Sequence, residues 1–236
     1  MRIDKFVADA KALTRSEARK AIKAGLVKQG EIVIKDIAFH VEEDADITLN
    51  GEKIFYKKYV YIMLNKPAGF ISATEDKKQN TVLNFLDPSY ARYKLFPAGR
   101  LDIDTEGFLL LTNDGDLAHN LLSPSKKVGK TYFVRFEKEI TDGEINQLEN
   151  GVDIGECITK PASVIRISEN EINLTITEGK FHQIKRMAHA VGNTVVYLRR
   201  LSYGNLYLDE TLSEGEYRHL TDEEVTNLYN VYKRKL

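Results

Sequence analysis

Apolar residues along the chain recur at two spacings, and the changes of spacing mark out its elements. Near the start Ile3, Phe6 and Val7 share one helical face, and a second helix follows in which Ala18, Ala21 and Ile22 form a stripe ending near Gly25. Thr14 stands three residues before Glu17, a pairing that starts helices reciprocally and recurs at Thr141/Glu144 and Thr221/Glu224. The segments LVKQGEIVI and DITLNGEKI each read as paired strands broken by Gly. Further on, YVYIMLNKP, FLLLTNDG, KTYFVRF, TVVYL and NLYL read as strands, and SVIRI with INLTI reads as a hairpin about SENE. GDLAHNLL predicts a brief helix, FHQIKRMAHAVG a helix closed by Gly192, and TVLNFL either a short helix or a strand.

These elements describe an α+β protein: a small amino-terminal group of helices with a small sheet, then a larger, mainly antiparallel sheet with peripheral helices. All five prolines lie beyond residue 60, and the charged aromatic stretch from Lys53 to Tyr61 has the character of a joint. Two domains are therefore expected, at residues 1–58 and 59–236.

Composition narrows the possible functions. A net charge of −1 excludes a polycation, and one cysteine, Cys157, excludes a disulfide scaffold and suits a reducing cytoplasm. The longest wholly apolar run, Phe108 to Leu111, is too short to span a bilayer, and charges near the amino terminus leave no export signal expected. The near-neutral total conceals blocks, however. Residues 1–35 hold nine basic and four acidic residues, 139–178 two and nine, and 179–200 five and none. Such patches have fields of their own, so a nucleic-acid partner stays open.

The densest polar feature is GRLDIDTEGFLLLTNDGD, residues 99–116. Asp102, Asp104, Glu106 and Gly107 match the first half of a calcium-binding loop, but Leu110 and Asn113 stand where its later ligands belong. A glycosidase pair needs carboxylates facing each other across a sugar, which neighbours on one loop rarely provide. A tight turn before a buried strand accounts for the same composition. On the helix after Glu178, His182, Lys185, Arg186 and His189 cluster away from Phe181, Ile184, Ala188 and Val191. Lys185 lies at the edge of that basic face, from which a cation can reach a partly buried cavity. Tyr132 lies in a strand beside basic residues, where it can stack on an unpaired base or belong to the core. No phosphate-binding glycine loop and no serine nucleophile elbow occurs, and the histidine spacing gives no zinc motif.

Taken in order, LNKPAG, GRLDIDTEG, KTYFV and EGKFHQIKRM resemble the motifs of the small-subunit rRNA pseudouridine synthases, preceded by a segment similar to an S4 RNA-binding domain. The resemblance spans nearly the whole chain. It implies a uridine isomerase acting on 16S rRNA or the assembling 30S subunit, at the family's uridine 516, as a cytoplasmic monomer without cofactor, metal or membrane. By that resemblance Asp102 is the catalytic aspartate, Lys185 the cation that pairs with it, and Tyr132 the residue that stacks on the base. Arg100, Lys66, His182, Arg186 and Leu198 are carried over as substrate or RNA contacts, with Asp104, Thr105 and Gly107 shaping the loop. Arg15, Arg19, Lys20 and Lys23 become the RNA-facing side of the S4 helix. Large-subunit relatives typically carry Arg at the positions of His182 and Lys185, which tilts the reading from 23S towards 16S rRNA. The alternatives implied are a 23S enzyme or an inactive S4-type assembly factor.

Overall fold

A computed structural model of the chain describes residues 1–11 and 13–233. It divides into two compact units, Met1–Val60 with Pro88–Lys94, and Tyr61–Asp87 with the chain from Leu95 onward.

In the first unit, α1 (Ile3–Lys11) and α2 (Arg15–Lys23) precede β1 (Val27–Gln29), β2 (Ile32–Val33), β3 (Ile47–Leu49) and β4 (Glu52–Ile54). The strands form an antiparallel sheet in the order β2-β1-β3-β4. At the β3–β4 turn Asn50 and Gly51 take φ of 54° and 80°, the left-handed pair that matches the twist of a tight hairpin. Thr14 caps α2 as its spacing predicts: Glu17 N donates to Thr14 Oγ1 at 3.2 Å, and the Glu17 carboxylate accepts from Thr14 N at 2.7 Å. The core gathers Ile3, Phe6 and Val7 of α1, Ala18 and Ile22 of α2, and Val27, Ile47 and Ile54 from the strands.

The second unit runs β5 (Tyr61–Lys66), β6 (Phe96–Pro97), β7 (Glu106–Thr112), α3 (Gly115–Leu122), β8 (Lys130–Phe136), α4 (Asp142–Asn150), β9 (Ser163–Arg166), β10 (Glu171–Ile176), α5 (Gln183–Ala190), β11 (Val195–Tyr203), β12 (Leu206–Tyr207), β13 (Tyr217–His219) and α6 (Asp222–Lys233). Its nine-stranded sheet has the order β13-β5-β7-β11-β8-β10-β9, with β6 against β7 and β12 against β11. Every pairing is antiparallel except that of β7 with β11, where Arg199 lies opposite Glu106 and Arg200 opposite Gly107. That two-residue seam joins the two antiparallel halves. Gly107 permits it: its φ is +96°, and a Cβ there would lie 2.3 Å from the Arg200 carbonyl oxygen.

TVLNFL takes the helical alternative, as a short 3₁₀ helix at Val82–Phe85 capped by Thr81. The structure departs from the hydrophobic pattern in two places. Strands β6 and β13, of two and three residues, are too short to show any alternation. The helix expected from residue 181 begins at Gln183, because His182 takes a left-handed φ of 49°. Phe181, expected on the buried face, is therefore 67% exposed.

Candidate active site

Strand alternation builds the floor of a cavity of about 430 Å³ inside the second unit. Residues two apart on a strand share a face. Lys130 and Tyr132 of β8 and Leu198 and Arg200 of β11 accordingly line it together, with Arg200 paired opposite Tyr132. All four are buried, Tyr132 at 7% exposure. The loop before β7 supplies Gly99, Arg100, Asp102 and Thr105, the turn before α5 supplies Phe181 and His182, and α5 itself supplies Lys185. Of the residues named from the sequence, Arg100, Asp102, Tyr132, His182, Lys185 and Leu198 thus meet at one cavity.

Around Asp102 the geometry differs from the simple pair that the resemblance implies. Lys185 Nζ lies 3.8 Å from Asp102 Oδ2 but only 2.6 and 2.7 Å from the two carboxylate oxygens of Asp104. The direct salt bridge of Lys185 is therefore with Asp104, and Asp102 shares the cation at longer range. His182 Nε2 stands 3.7 Å from Asp102 Oδ1 on the other side. Burial pushes the Asp104 carboxyl up, but the hydrogen bond and charge of Lys185 outweigh it and hold the group below the usual carboxylate range. Asp104 is thus more than a loop-shaping residue.

The five carboxylates of the 99–116 segment have separate duties. Asp102 and Asp104 face Lys185, Glu106 accepts from Tyr197 OH at 2.7 Å, and Asp114 caps α3 through Leu117 N. Asp114 also accepts from the hydroxyls of Tyr61 and Tyr229, while Asp116 stands in the first turn of α3. Among the described residues no group of three His, Cys, Asp or Glu side chains is arranged to hold a metal ion.

Two buried cations in the floor escaped the reading of the sequence. Arg200 Nε donates to Phe108 O at 2.7 Å, and its guanidinium lies 6.0 Å and 5.3 Å from the ring centres of Tyr132 and Tyr203. Lys130 Nζ donates to Val128 O at 3.3 Å and lies 5.1 Å from the Tyr203 ring. Burial, with the nearby charge of Arg200, pushes the Lys130 amine down to about 8. A floor of donors and aromatic faces suits a planar ligand bearing carbonyl oxygens. The signal was present: Lys130 has the strand parity of Tyr132, and Arg200 that of Leu198.

Other expected contacts lie elsewhere. Lys66 is fully buried and does not line the cavity, which corrects its assignment as a substrate contact. Its ammonium donates to Pro67 O at 3.0 Å, Ile103 O at 3.3 Å and Thr105 O at 2.7 Å, so it fastens the loop that carries Asp102 and Asp104. Arg186 also turns from the cavity, to the Ile154 carbonyl and to Glu156 at 2.8 Å. In the first unit Lys20 and Lys23 are exposed on α2. Arg15 and Arg19 instead bind the fully buried carboxylate of Asp4 at 2.8 and 3.0 Å, joined by Arg2 at 3.2 Å. Each arginine remains partly open to solvent.

The second unit thus holds a cavity in which Asp102 and Lys185 meet Tyr132 and two buried cations, and a unit of two helices and a four-stranded sheet precedes it in the chain. Residues 60–190 match the RNA pseudouridylate synthase family, and residues 1–47 match the S4 domain. The chain is 51% identical over 232 residues to the uncharacterized RNA pseudouridine synthase YtzG of Bacillus subtilis, covering 95% of this chain and 97% of the relative. It is 43% identical over 231 residues to the ribosomal small subunit pseudouridine synthase A of Vibrio cholerae, covering 97% of this chain and all of the relative. A crystal structure of a pseudouridylate synthase superposes with a TM-score of 0.69 at 38% identity, covering 97% of this chain and 99% of that one. The chain belongs to the RNA pseudouridylate synthase family, the isomerases that convert uridine in RNA to pseudouridine.

Proposed function

We propose that the protein isomerises one uridine of 16S rRNA, position 516 in the family's usage, within the cytoplasm, where ribosomal RNA is assembled. The observation that carries the chemistry is the convergence of Asp102, Tyr132 and Lys185 on one cavity. The small-subunit reading is supported by relatives from Vibrio cholerae and Escherichia coli, each named ribosomal small subunit pseudouridine synthase A, at 43% and 40% identity. His182 and Lys185, where large-subunit relatives typically carry Arg, support it as well.

The reaction breaks the N1–C1′ bond, turns the base and joins C5 to C1′; the C5 proton leaves and N1 gains one. Paired or stacked uridine must first leave its stack, and the cavity serves an extruded base. Asp102 acts on that base or its sugar as a nucleophile or a base, with Lys185 Nζ 3.8 Å from its carboxylate. Tyr132 stacks on the ring from the floor and serves proton transfer at C5. Arg100 at the rim holds the extruded nucleotide, and the S4 unit positions the RNA through Lys20, Lys23 and the open parts of Arg15 and Arg19. Arg186 acts indirectly, by holding the backbone around α5.

The test is pseudouridine formation on unmodified 16S transcript and on assembling 30S particles, by wild type and by Asp102→Asn. Wild type is expected to convert one site and the variant none. Conversion by the variant at the wild-type rate would refute the role of Asp102. Conversion of 23S rRNA alone would refute the small-subunit reading, and no product from wild type on any rRNA would favour an RNA-binding factor.

A further inference from the structure

The cavity rim carries one aromatic side chain that the chemistry above leaves without a task. Phe181 lines the cavity yet is 67% exposed. Its ring stacks on the His182 imidazole, with centroids 3.8 Å apart and planes inclined by 21°. One face is therefore covered by His182, and the high exposure leaves the other open to solvent.

The ring is also held in place. His182 turns the chain through a left-handed φ of 49° just before α5. Lys180 N donates to Gln183 Oε1 at 2.9 Å, and Gln183 N donates to Lys180 O at 3.2 Å, which closes the turn that presents Phe181. Arg186 Nη1 reaches the Phe181 carbonyl at 3.4 Å while paired with Glu156. A fixed, flat apolar surface does nothing for the core, and it meets the requirement for stacking against a nucleobase, whose π-face it complements without regard to sequence. Arg100 and Lys180 around the same cavity offer cations to the adjoining phosphates. Tyr132 in the floor is reached only by a base that enters the cavity, whereas Phe181 meets a base that stays outside.

We propose that the Phe181–His182 pair is a stacking platform for a nucleotide flanking the extruded uridine, so that the vacated stack is completed by protein. The proposal rests on the pseudouridine synthase reading. Its test uses a 16S fragment with 2-aminopurine on one or the other side of the target uridine, with wild type, Phe181→Leu and Phe181→Trp. Because Phe181 is exposed, each variant is expected to fold. Loss of one stacked base is expected to raise KM and Kd by about five- to a hundredfold, with a smaller change in kcat, and to abolish the stacking-dependent fluorescence change at one flanking position. Phe181→Trp is expected to recover most of both. Unchanged KM and fluorescence in Phe181→Leu, with wild type forming product, would overturn the platform and leave the activity standing. Absence of product from wild type would overturn the functional reading and the platform with it.

Discussion

Alanine at position 107 tests how the two halves of the large sheet are joined. The β7–β11 ladder consists of two residue pairs, and Gly107 belongs to one of them. A Cβ there would stand 2.3 Å from Arg200 O, 2.9 Å from Arg200 N and 2.9 Å from Arg199 Cγ, two of the three being backbone atoms that cannot swing aside. The φ of +96° adds strain that an L side chain incurs and glycine does not. Overpacking of roughly 1–3 kcal/mol and a backbone cost of about 1–2 kcal/mol give a loss of about 2–5 kcal/mol. At roughly 2–4 °C per kcal/mol for a unit of this size, the thermal midpoint should fall by about 4–20 °C. Activity should fall further than stability, because the seam sets the Asp102 loop beside Leu198 and Arg200. Gly115→Ala is the control, since its Cβ would meet nothing within 4 Å. A Gly107→Ala protein melting within about 2 °C of wild type would refute the close approach as the reason for glycine.

Two further substitutions test buried charge. Burial pushes the Lys66 amine down to about 8 despite Asp104, Glu106 and Asp102 nearby, whereas the unfolded chain keeps its proton to about pH 10.4. The cost of the buried charge, about 3 kcal/mol, is fully present below pH 8 and is relieved as pH rises towards 10.4. Urea unfolding of wild type and Lys66→Met at pH 7 and 9.5 should show the gap shifting in favour of wild type by about 2 kcal/mol at the higher pH; a constant gap would refute it. In the first unit, burial raises the Asp4 carboxyl, but Arg19, Arg2 and Arg15 outweigh it and hold it below its ordinary value. Its stabilisation is therefore complete above about pH 3.9 and lost as pH falls through the lower native value. Asp4→Asn should cost that unit about 2–4 kcal/mol at pH 6, read from denaturant unfolding monitored at its own amides, and the deficit should shrink in acid. Equal stability at pH 6 would show that the three arginines do not depend on Asp4.

The elements were largely legible because their signals are local. Three Thr/Glu spacings predict helix starts, and all three form reciprocal caps, at Thr14, Thr141 and Thr221. Parity along KTYFVRF places Tyr132 with the buried set, and the motif order implied where Asp102, Tyr132 and Lys185 belong. Phe181 was misplaced because helical periodicity alone cannot reveal that the backbone at His182 turns left-handed.

What the chain determined by itself, then, was the succession of helices and strands and the family its motifs resemble, since both depend on residues close together in sequence. Tertiary structure alone decided which charges meet. Asp4 and Arg19, Asp104 and Lys185, and Lys66 and the Thr105 carbonyl are separated by 15, 81 and 39 positions, and only folding brings them within hydrogen-bonding distance. Coulomb and hydrogen-bond energies depend on that distance in space and on the burial around it, so the division of Lys185 between two carboxylates could not be read from spacing along the chain.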